Sequence, residues 1–75
     1  MSTTQDITTA IRALTGHTVE PSRAAIGAYF DRHPATHQDV YERLDICRRL
    51  GVPPDAAHDN AALVGLLIDK VGNRW

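Results

Sequence analysis

Apolar residues return at helical intervals in four stretches of this chain, with short polar or Pro/Gly-bearing breaks between them. Ile7, Ala10, Ile11 and Leu14 stand at i, i+3, i+4 and i+7, the spacing that lines one face of an α-helix. Thr3 followed by Asp6 has the form of a capping box ahead of that stripe, and Gly16 supplies the stop. A second stripe, Ala25, Ile26, Tyr29 and Phe30, predicts a helix that begins near Thr18 with Pro21 in its first turn. Pro34 forces His33 out of the helical region and ends it.

The third stretch carries the widest apolar surface. At 100° per residue, Ile46, Leu50, Cys47, Val40, Leu44 and Tyr41 sweep an arc of roughly 220°, leaving Gln38, Glu42, Asp45 and Arg49 on a narrow wet side. Such a helix calls for neighbours on more than one flank. Thr36 with Asp39 reads as its cap, the pairs Asp39–Arg43 and Asp45–Arg49 as i,i+4 ion pairs, and Gly51-Val52 as a Schellman ending before Pro53-Pro54. In the fourth stretch, Ala61, Val64, Leu67, Ile68 and Val71 form a stripe that Leu63 and Leu66 widen to a similar arc. Its start falls between Asp55 and Asn60, with one helical turn over 54–58 ahead of it, and Gly72-Asn73 ends it.

These elements predict one all-α domain over residues 1–75, a small bundle of four short helices at about 4–15, 19–33, 37–50 and 59–71. No stretch alternates as a strand does, and the connections suit antiparallel neighbours.

Composition narrows the function classes. Seventy-five residues hold one core, and 43 % apolar with 23 % charged residues is the balance of a chain that folds. A net charge of −1 provides no general field for nucleic acid or an anionic membrane. Cys47 is the lone cysteine, so the chain cannot staple itself, and a reducing cytoplasm is the expected setting. Neither a basic segment leading into an apolar run nor a run long enough to span a membrane is present, so no membrane partner is expected. One core of this size supplies only about 3 to 5 kcal/mol, which association with a partner would supplement.

Chemistry-bearing residues are few. His33 and His37 are four apart, but the intervening Pro34 breaks the helix that would hold both imidazoles on one face, and no second cysteine completes a metal set. Cys47 falls on the apolar side late in its helix, the place of a small core residue rather than a nucleophile. The chain contains no GxGxxG, GxxxxGK[ST], GxSxG or HExxH motif. No catalytic residue, metal or cofactor is therefore expected.

Two binding readings remain. In one, helices two and three form a helix-turn-helix of a DNA-binding regulator, with Arg43, Arg48 and Arg49 facing the nucleic acid. Asp39, Glu42 and Asp45 cancel those three charges within the same helix, which weighs against it. In the preferred one, the excess apolar arcs are a docking surface for a protein partner or a second copy of the chain. The residues expected there are Ile46, Leu50, Leu63, Leu66 and Trp75, and Ala61 and Gly65 would let a neighbouring backbone come close.

Overall fold

The computed structural model describes residues 3–56 and 59–72, which form four helices: α1 (Thr4–Thr15), α2 (Arg23–Arg32), α3 (Pro34–Leu50) and α4 (Asn60–Gly72). The all-α architecture expected from periodicity is the one observed, and no strand occurs among the described residues.

Local capping chemistry sets the clean boundaries. Asp6 N donates to Thr3 Oγ1 at 3.1 Å while Thr3 N donates to Asp6 Oδ2 at 3.4 Å, so the capping box forms as the sequence predicts. Gly16, at φ 78°, turns the chain out of α1 and returns its N–H to the Arg12 carbonyl. Gly51 (φ 73°) and Val52 close α3 in a full Schellman motif, Val52 N reaching the Cys47 carbonyl at 3.0 Å and Gly51 N the Arg48 carbonyl at 3.2 Å. A Cβ built on Gly51 meets nothing within 4 Å, so only its left-handed backbone demands glycine. Gly51→Ala is accordingly expected to cost about 1 kcal/mol, read as a fall in the urea midpoint with unchanged slope.

Two helix starts differ from the sequence reading. α2 begins at Arg23, capped by Ser22, whose Oγ accepts from Ala25 N at 3.2 Å. Pro21 sits before the helix, in a tight turn closed by Ser22 N on the Glu20 carbonyl at 2.8 Å. A helix from Thr18 would place Glu20 in the α region directly before a proline, where the ring crowds it. α3, in turn, begins at Pro34 rather than near His37, and neither Thr36 nor Asp39 caps it. His33, at φ −133° and ψ 67°, ends α2 and starts α3 at once, because a proline at the first helical position has its φ preset and lacks only a donor that would go unpaired. Asp59 is the working cap of α4, its Oδ1 accepting from Ala62 N at 2.8 Å. Of the expected turn over 54–58, the described part shows Ala56 N on the Pro53 carbonyl at 3.1 Å; the remainder lies outside the described residues.

α3 is the spine of the molecule. Val40 and Leu44 enter one core with Ile7, Ala10, Ile11, Ile26 and Tyr29 from α1 and α2. Ile46 and Cys47, on the adjacent face, enter a second with Leu63 of α4, and Leu50, Val52, Val64 and Leu67 pack around it. The wide apolar arc of α3 is thus shared between two sets of neighbours. Of the described helices, α4, by contrast, packs on α3 alone.

The direction of α4 overturns the expectation of antiparallel neighbours. Asn60 Nδ2 donates to the Asp39 carbonyl at 2.9 Å and Lys70 Nζ to the Arg49 carbonyl at 3.1 Å. Both pairs are 21 residues apart, so α4 advances in step with α3 and the two run parallel. The connection after Gly51 must therefore travel back along α3, and Arg43 Nη1 holds it partway by donating to the Pro54 carbonyl at 2.9 Å. With its second core set beside the first rather than on it, the chain measures 44 × 20 × 16 Å. Its radius of gyration, 12.9 Å, exceeds the roughly 11 Å of a compact domain of this length.

Candidate docking face

α4 is apolar around most of its circumference, with Asp69 and Lys70 as its charged residues. A helix of that character is ordinarily buried on all sides. Among the described residues its inner side alone is covered: Leu63 is 0 % exposed against Ile46 and Cys47, and Val64 and Leu67 are half-buried beside it. On the outer side Ala61, Gly65 and Ile68 are exposed, Ile68 at 62 %, and Val71 borders them at 48 %. Leu66, 52 % exposed, stands on the other flank.

The residues expected from the sequence to form an interface divide accordingly. Ile46 and Leu63 are interior, and Leu50 packs on the same cluster; they join α4 to α3 instead of facing a partner. The returning connection makes this possible, because it brings α4 alongside the flank of α3 that bears Ile46 and Leu50. Leu66 is at the surface as expected, and Trp75 lies outside the described residues. Ile68 and Val71, placed by the sequence reading in the central stripe, carry the larger share of the open apolar face.

The arginines of the DNA-binding alternative are likewise separated. Arg43, expected at a surface facing phosphates, is 0 % exposed and turned under the connection. Its anticipated ion pair with Asp39 is absent, since the side chain points inward to the Pro54 carbonyl. Arg48 and Arg49 are exposed and share Asp45, at 3.4 Å and 3.1 Å, so their charge is partly neutralised within the helix. The wheel does contain a signal for Arg43: it falls inside the apolar arc of α3, between Val40 and Leu50, not on the wet side.

Arg43 Nε and Nη2 are buried with no hydrogen-bond partner among the described residues. A sealed guanidinium with one bond is expensive, and removing the whole charged group relieves that cost. Arg43→Met, which keeps the length of the stem, is expected to leave stability unchanged or raise it by about 1 kcal/mol, whereas Arg43→Ala should lower it by about 2 kcal/mol through the cavity left behind. Thermal melts of the two variants check the contrast.

Cys47 is buried beside Arg43, and burial pushes its thiol above the usual value of 9.0, the Arg43 charge pulling partly the other way. A thiol held neutral and covered is a packing group. Two histidines lie against aromatic rings: His33 is 4.5 Å from Tyr29, and His37 4.6 Å from Phe30, centre to centre. His17, which the periodicity does not single out, bonds through Nδ1 to the Tyr29 hydroxyl at 3.0 Å and ties the α1–α2 connection to the first core. Among the described residues no three His, Cys, Asp or Glu side chains gather as metal ligands would. An open groove of about 680 Å³ runs between the starts of α1 and α2, floored by Ile7, Ile26 and Phe30 with Tyr41 and Arg23 at its edges. No described helix is long and apolar enough to cross a membrane.

No family model, characterised protein or solved structure matches this chain.

Proposed function

We propose that this protein is a non-enzymatic binding module that docks another protein on the outer face of α4. The observation behind this reading is that a helix apolar on nearly every side is covered, among the described residues, on one side only. Each Å² of apolar surface taken from water contributes about 25 cal/mol, so Ile68 and Val71 together hold an appreciable reserve of binding free energy that folding of the monomer leaves unused. The lone, buried Cys47 fits work in the reducing cytoplasm.

The test substitutes Ile68 with glutamate. At a position this exposed the monomer tolerates the charge, while a docking surface does not. Helicity and melting temperature are expected to match wild type, and complexes recovered by affinity capture from the native host are expected to be lost. The reading fails if wild type neither self-associates nor captures any protein that the Ile68→Glu variant does not capture equally well.

A further inference from the structure

We infer that α4 is a lid on α3 that opens as a unit while α1 to α3 stay folded, and that the sealed Arg43 guanidinium strains the closed form and so sets how often the lid opens. This holds whether or not a partner occupies the outer face of α4. Three buried side-chain polar atoms lack a hydrogen-bond partner among the described residues: Arg43 Nε, Arg43 Nη2 and Asn60 Oδ1. All three belong to one junction, where the start of α4 and the connection before it meet α3. Orphaned groups scattered through a molecule would weaken it evenly; gathered here, their cost falls on the docking of α4. Undocking α4 slackens the connection, and water then reaches the guanidinium and the amide. The cost is therefore present in the closed form and absent from the open one.

What holds the lid shut is small. Leu63 is its one fully buried side chain, with Val64 and Leu67 half-buried beside it. The side-chain bonds from its two ends, Asn60 Nδ2 to the Asp39 carbonyl and Lys70 Nζ to the Arg49 carbonyl, are at exposed positions where water competes for the same partners. The core that joins α1, α2 and the Val40–Leu44 face of α3 contains no residue of α4, so it stays intact as the lid lifts. Opening uncovers Ile46, Cys47 and Leu50 on α3. Cys47 is 1 % exposed when the lid is shut, and as the lone cysteine of the chain it reports the event.

Native-state amide exchange and labelling of Cys47 by Ellman's reagent, both on the full chain, test this. In wild type the amides of Val64 to Leu67 are expected to be at least about tenfold less protected than that of Ile11, and the opening constant read from Cys47 should agree with theirs. Fraying of α4 in place would free its amides and leave Cys47 covered, which contradicts opening as a unit. Arg43→Met should lower the opening constant of α4 about fivefold. The α4 amides decide that comparison, because the substitution also removes a charge beside the thiol. In Leu63→Ala protein, whose α4 is already undocked, Arg43→Met should leave protection of Ile11 unchanged within about twofold. Wild-type α4 amides as protected as that of Ile11 overturn the inference, and so does an effect of full size in the Leu63→Ala background. An Arg43→Met chain that opens α4 as readily as wild type, opens it more, or fails to fold also overturns it, since each outcome shows that the guanidinium is no burden on the closed form.

Discussion

Leu63→Ala is expected to release α4 from α3 while leaving α1 to α3 folded. Leu63 is fully enclosed, and truncating such a side chain costs about 3 kcal/mol. α4 holds no other fully buried side chain and touches no other helix. A free helix of 13 residues is marginal in water, so undocking means unfolding of the segment. The expected circular dichroism change is a loss of about a quarter of the helical signal, the share that α4 contributes. Cys47, which α4 covers, should then react quickly with a thiol reagent. In wild type a slow reaction is expected, because Cys47 is covered and burial raises its thiol pKa. The raised thiol pKa carries its own sign: the unfolded chain ionises first, so this contribution is complete below about pH 9.0 and is lost as pH climbs through the folded value. A concerted loss of all helicity in Leu63→Ala, with no stage in which α4 alone is lost, would refute the separation of the two cores.

Ile11→Ala should do what Leu63→Ala does not. Ile11 is sealed at the centre of the first core, between α1 and the Val40–Leu44 side of α3. Its truncation also costs about 3 kcal/mol, but here the loss falls on the core that holds α3 in place, out of the about 3 to 5 kcal/mol that one such core supplies. For a chain of this size each kcal/mol moves the melting temperature by about 4 to 8 °C, so a fall of about 12 to 24 °C is expected. Both cores should go together, because α4 has no support once α3 loosens. A scanning calorimetry trace with one broadened low-temperature transition meets the expectation; an intact α3–α4 transition at the wild-type temperature contradicts it.

Helix ends were the most legible part of this chain. Thr3, Gly16, Gly51 and Asp59 act through hydrogen bonds within a few residues of themselves, so the residue types report the geometry directly. The two displaced starts, at Ser22 and Pro34, were also written locally: Glu20 stands before a proline just as His33 does, and Pro34 suits a first helical position. Arg43 was legible in its angle and not in its destination. The wheel places it inside the apolar arc, while its charge suggests a wet partner, and the carbonyl that receives it comes from Pro54, beyond the end of the helix.

The sequence by itself determined four helices, the stops of α1, α2 and α3, and the apolar arcs of α3 and α4. What tertiary structure decided is that α4 runs parallel to α3, that Ile46, Leu50 and Leu63 serve the seam between those helices, and that the open face is the one bearing Ile68. The reason is physical: periodicity records that a face favours burial, but the hydrophobic effect has no direction, so the pattern does not say against what. The path of the chain after Gly51 and the hold of Arg43 on the Pro54 carbonyl supply that answer, bringing one side of α4 onto α3 and leaving the other to water.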